Sequence, residues 1–143
     1  MEKNELNKKP NRLKDRKVLL STLWLFAILN YLYCDIITLM DSNILRQVLS
    51  GIVRNIHMTQ VFLFGASILM EIPIAMVLLS RILNYKANRW ANLIASIIMT
   101  VVQFVSLIGS STGYYIFFSI IEISCTLFIF LFAFKWSKPE EQS

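Results

Sequence analysis

The sequence predicts an all-α fold: an integral membrane four-helix bundle with a short amphipathic outer helix between the first and second spans. Three observations predict it. Hydrophobic residues make up 56% of the 143 residues and mean hydropathy is +0.58, more apolar surface than a soluble domain of this size can cover. The apolar residues fall into four stretches, at about 18–40, 59–83, 90–108 and 114–134. Each has about 19–25 residues, enough to cross a ~30 Å hydrocarbon core as a helix. Helix is the economical crossing structure, because each backbone polar group must be satisfied internally. Aromatic residues near the stretch ends (Trp24, Trp90, Tyr114, Tyr115, Trp136) read as interfacial anchors.

Residues 1–17 form a basic cytoplasmic tail, 18–136 the single membrane domain, and 137–143 a second cytoplasmic tail. The first stretch is too long for a cleaved signal peptide, and no small-residue cleavage site follows it. Leu32-Tyr33-Cys34 has the outline of a lipoprotein site, but bulky Tyr33 stands where a small residue is needed.

Charge sets orientation. Seven of the fourteen basic residues (Lys3, Lys8, Lys9, Arg12, Lys14, Arg16, Lys17) precede the first stretch. Arg81, Lys86 and Arg89 flank the second connection, and Lys135 and Lys138 follow the fourth stretch. Only Arg46 and Arg54 lie on the other side, and the 109–113 turn has none. The positive-inside rule then places both termini in the cytoplasm. The basic tail reads as a topology signal attracted to anionic lipid, not as a nucleic-acid surface.

The connection 41–58 opens with the cap cluster Asp41-Ser42-Asn43. Ile44, Leu45, Val48, Leu49, Ile52, Val53 and Ile56 then recur at helical spacing, opposite Arg46, Gln47, Ser50 and Arg54. This predicts an amphipathic helix, either a linker floating in the interface or a lid over the outer mouth.

Polar residues inside the spans are the candidates for function. They include Asn30, Tyr31, Cys34, Asp35 and Thr38 in the first span, and Ser67 and Glu71 before Pro73 in the second. The third carries Asn92, Ser96, Thr100, Gln103 and Ser106, spaced mostly by three or four; the fourth carries Ser119, Glu122, Cys125 and Thr126. An intramembrane carboxylate costs about 2.5–3.5 kcal/mol on an insertion scale and should face the bundle interior or water. Counted from the outer ends, Asp35 and Gln103 lie about 8 Å deep, Glu122 about 12 Å, Asn30 about 15 Å and Glu71 about 18 Å.

No Lys or Arg lies at those depths. Either some acids are protonated, or Arg46 and Arg54 fold in, or the site takes a cation or a protonatable ligand. Pro73 crowds the carbonyl of Leu69, so a helix kink is expected beside Glu71. The candidate ligand or proton site is therefore Glu71, Glu122, Asp35, Asn30, Gln103 and Tyr31. The alternative is that these groups only hold helices together.

No catalytic triad, metal-ligand spacing, Walker loop or dinucleotide fingerprint occurs, and the two cysteines are far apart. His57 reads as an exposed residue. No motif fixes a reaction; whether the chain is an enzyme stays open, with a non-enzymatic role preferred.

The strings LNYLYCD (29–35), LMEIPIAMVLLSRIL (69–83), NRWANL (88–93) and YYIFFSIIEI (114–123) resemble a bacterial family of short four-helix membrane proteins. That family is similar in layout to the DoxX-like group, some members of which are associated with quinone-linked sulfur oxidation or thiol stress. The resemblance spans nearly the whole chain. It implies a four-helix bundle and a membrane-soluble, quinone-like ligand, and it carries no catalytic role onto Asp35, Glu71, Pro73 or Glu122.

Three classes of function remain: a protein that binds a lipid-soluble small molecule or handles protons, in the manner of a redox accessory subunit; a transporter of small cations or amphiphiles; and a structural protein with interhelical polar contacts alone. Small multidrug exporters carry their membrane acid on the first helix, whereas the deepest acid here is on the second. The lipid bilayer is the expected partner, with a homo-oligomer or a membrane protein partner left open.

Overall fold

The computed structural model describes residues 8–108 and 112–136, with side chains from residue 14 onward. The expected tails at 1–7 and 137–143, and most of the 109–113 turn, lie outside the described residues. Among the described residues there are five helices: α1 (Lys8–Met40), α2 (Ser42–Ser50), α3 (Gln60–Ile82), α4 (Tyr85–Leu107) and α5 (Gly113–Phe134). All but α2 are long and apolar enough to cross a membrane. The helices overrun the apolar stretches at the basic end, where α1 begins at Lys8 and α4 at Tyr85 rather than near 90. Asn84 explains the second of these: its side chain accepts from the Ala87 N–H at 3.0 Å, a cap that starts the helix ahead of its apolar part.

Helix α1 packs against α3 and α5, and α4 packs against the same two, so α1 and α4 face each other across the diagonal. The seams follow a period near 3.5 residues: Leu20, Trp24, Ala27, Tyr31 and Cys34 on α1, and Ser119, Glu122, Thr126, Ile129 and Ala133 on α5. That period makes neighbouring helices supercoil gently around one another. Small residues on both seams let the backbones approach.

One end of the bundle is basic and tied by hydrogen bonds. Lys17 Nζ donates to the Leu83 carbonyl at 2.6 Å, Arg81 Nε to Ser21 Oγ at 3.0 Å, and Tyr85 Oη to the Trp136 carbonyl. Deeper in, Trp24 Nε1 donates to Asn92 Oδ1 at 2.7 Å. Asn92 Nδ2 donates to Asn88 Oδ1 at 2.6 Å, and Asn88 Nδ2 donates to the Ser80 carbonyl. This knot joins α1, α3 and α4. Burial corrects two of the interfacial anchors expected from sequence: Trp24, in this knot, and Trp136 are buried in the core, while Trp90, 65% exposed, keeps the position an anchor needs. The reason for Trp24 is chemical, since its single N–H finds a partner in Asn92 that lipid would not supply.

At the opposite, hairpin end the expected amphipathic helix is shorter than its periodicity suggested. Asp41 caps α2 by accepting from the Asn43 N–H at 2.9 Å. Gly51 then ends it in the left-handed region, φ 74°, with its N–H on the carbonyls of Gln47 and Val48. Ile52, Val53 and Ile56 are therefore not helical. They form a two-strand ribbon, β1 (Ile52–Val53) against β2 (Ile56–His57), closed by Arg54 and Asn55 at φ 47° and 65°. Positive φ at both central residues suits a type I′ hairpin turn. No heavy atom lies within 4 Å of a Cβ built on Gly51, so Gly51→Ala is strained by backbone alone. We expect it to cost about 1–2 kcal/mol, read as faster amide exchange over residues 47–53 with the four long helices unchanged.

Helix α3 is unevenly packed. Its buried residues are Pro73, Met76 and Ser80, all in its second half. Residues 61–68 are exposed around the whole helix. Burial on α3 thus begins at Pro73, the residue where the sequence anticipates a bend.

Candidate functional site: an acid-lined cavity at the hairpin end

A cavity of about 160 Å³ lies among the helices on the hairpin side of the bundle. Helix α1 supplies Tyr31, Cys34 and Asp35, and α4 supplies Met99, Val102, Gln103 and Ser106. Helix α5 supplies Tyr115 and Glu122, while α3 contributes only Met70. The α1 residues reach it because Tyr31 and Cys34 continue the buried seam, with Asp35 one residue further round at the exposed edge.

Glu122 is the least exposed polar residue in the wall. It is 1% exposed, and neither carboxyl oxygen has a hydrogen-bond partner. The Tyr31 hydroxyl is buried and unpartnered in the same way. Two nearby polar pairs bridge helices. Gln103 Nε2 donates to Ser119 Oγ at 2.9 Å, and Thr100 Oγ1 meets Thr126 Oγ1 at 2.8 Å, so these pairs clamp α4 to α5. Interhelical contact accounts for them and leaves Glu122 and Tyr31 unexplained. A buried polar group without a partner forfeits its hydration, so natural structures seldom keep one without a use.

Two predicted site residues are not brought in. Asn30 turns back on its own helix, with Nδ2 donating to the Phe26 carbonyl at 2.9 Å. Glu71 is exposed on the outside of the bundle. The reason is helix rotation. At about 100° per residue, Pro73, Met76 and Ser80 lie about 140–200° round the helix from Glu71, so burying them turns Glu71 outward. Matching depth was legible in the sequence, but rotation was not.

The segment between α1 and α3 touches α5 beside the site. Tyr114 Oη reaches Asp41 Oδ2 at 3.4 Å, and the Arg54 guanidinium sits 5.1 Å over the ring of Tyr115, a cavity residue. Sequence reasoning treated Tyr115 as an anchor; only its position next to the hairpin shows its part in the wall. Cys34 and Cys125 are both buried and free. Among the described residues no cluster of His, Cys, Asp or Glu could hold a metal ion.

Four long apolar helices, a basic end and a polar cavity between the helices define a small multi-pass membrane protein. Residues 10–143 match the family described as "Family of unknown function (DUF6326)". The chain belongs to that family. No curated protein and no solved structure matches it.

Proposed function

We propose that the protein binds the polar head of a lipid-soluble small molecule in the hairpin-end cavity, with Glu122 as the group that meets it by hydrogen bond or proton exchange. One observation carries this reading: a buried carboxyl with both oxygens unpartnered faces a cavity shared with an unpartnered tyrosine hydroxyl. Size narrows the ligand. A cavity of about 150 Å³ accepts a single benzene-sized ring, whereas drug-sized pockets run to about 300–1,000 Å³. A volume of 160 Å³ therefore suits one ring or a compact head group, its tail lying in lipid. The layout resembling DoxX-like proteins suggests a quinone-like ring, whose carbonyl oxygens would accept from Tyr31 and from Glu122 in its acid form. The positive-inside rule supports a cytoplasmic basic end, which would put the cavity in the outer half, and the resemblance supports a bacterial inner membrane.

The test is extraction. Protein taken gently from membranes should carry a lipid-soluble molecule, seen by mass spectrometry of the organic extract and enriched at least fivefold over the Glu122→Leu variant. A short-tailed benzoquinone added back should quench tryptophan fluorescence in the native chain and not in the variant. Identical extracts from both proteins, with no quenching, would sink the reading.

A further inference from the structure

Helix α3 carries three strongly polar residues in its membrane-crossing length, Gln60, Ser67 and Glu71, apart from Ser80 and Arg81 at its basic end. All three are exposed, and they fall within an arc of about 40° on one face of the helix. Phe64 and Leu78, 69% and 63% exposed, complete the same stripe. Glu71 is the central residue of the 23-residue helix, at the depth where hydrocarbon is thickest. It makes no hydrogen bond or ion pair among the described residues. A carboxyl pointing into lipid at the bilayer midplane is the least tolerable placement for that group. In the first half of α3, residues 61–68 are all exposed among the described residues, so this face is open to approach.

We propose that this stripe of α3 is the contact surface for a second copy of the same chain. A two-fold axis along the membrane normal sets residues of equal height against each other, so Glu71 meets Glu71 and Ser67 meets Ser67. The stripe is self-complementary under that operation. A glutamic acid, a serine and a glutamine each donate and accept, so two identical faces satisfy one another. Ser67 fixes one donor direction: its hydroxyl donates to the Leu63 carbonyl at 2.9 Å. Its oxygen lone pairs remain for a donor from outside, and the partner's Glu71 acid O–H lies one turn away. The spans hold no Lys or Arg near this depth, so the pairing is acid with acid and not acid with base.

The experiment uses the full chain in liposomes. Ser67→Cys should form a disulfide with its own copy under a membrane-permeant oxidant, at least tenfold faster than Val101→Cys on the exposed face of α4. Single-molecule photobleaching should show two chains per particle. Glu71→Leu should need at least tenfold more chain per lipid to pair, and Glu71→Gln, which still donates and accepts, should stay within threefold of native. Because Glu71 is exposed and makes no hydrogen bond or ion pair among the described residues, both variants keep the native helicity and buried-tryptophan emission. Equal pairing by Glu71→Leu, a single chain per particle, or a Ser67→Cys adduct to a different membrane protein would each overturn the proposal.

Discussion

Leucine in place of Glu122 is expected to stabilise the bundle by about 1–3 kcal/mol while abolishing ligand binding. The sign follows from the environment. Both oxygens of Glu122 are buried and unpartnered, so the carboxyl has lost its hydration and gained no hydrogen bond in the protein. Leucine is close in volume and needs no partner, and apolar replacement of a buried polar group often stabilises. A gain of stability with a loss of function is the usual pattern where a group is kept for activity. The interhelical-contact reading demands the opposite sign, because deleting a contact between α5 and its neighbours would loosen them. Reversible unfolding in mixed detergent micelles measures the first quantity, and benzoquinone quenching the second. A destabilised, still-binding Glu122→Leu protein would remove Glu122 from the site.

Trp24→Ala should be the most damaging single change, at about 3–5 kcal/mol. Trp24 is fully buried and is the α1 member of the knot through Asn92, Asn88 and Ser80. In a bilayer the loss is mostly one of packing, since lipid is as apolar as the core and the hydrophobic term between helices vanishes. Trp24→Phe separates the two contributions. It keeps a six-membered ring and removes the N–H together with the pyrrole half of the indole, and Asn92 Oδ1 retains Ser80 Oγ at 3.3 Å. Hydrogen bonds between membrane helices average about 0.6 kcal/mol and reach about 1.7, so Trp24→Phe should cost that amount plus a packing loss of about 1 kcal/mol, below the cost of Trp24→Ala. Equal losses for the two variants would assign the anchor to the hydrogen bond; a cost below about 1 kcal/mol for Trp24→Ala would deny that the knot anchors the fold.

The four long helices were legible because length and apolarity alone decide which segments can cross a bilayer. Asp41 as the α2 cap was legible from a local three-residue pattern. The end of α2 was not: Ile52, Val53 and Ile56 continue a helical period, and Gly51 was passed over as the left-handed stop that turns them into a ribbon. Trp24 was misplaced for a similar reason. A tryptophan near a span end reads as an anchor until Asn92, far away in sequence, is seen beside it.

For the four spans themselves, the sequence determined existence, approximate limits, and the depth of each polar residue, since depth depends only on counting along one helix. The tertiary structure alone decided how each helix is turned. Rotation brings Tyr31, Gln103 and Glu122 to one cavity and carries Glu71, at a compatible depth, to the opposite side of α3. Packing between helices sets that angle, through seams such as Pro73, Met76 and Ser80, and no single helix records which of its faces a neighbour will cover.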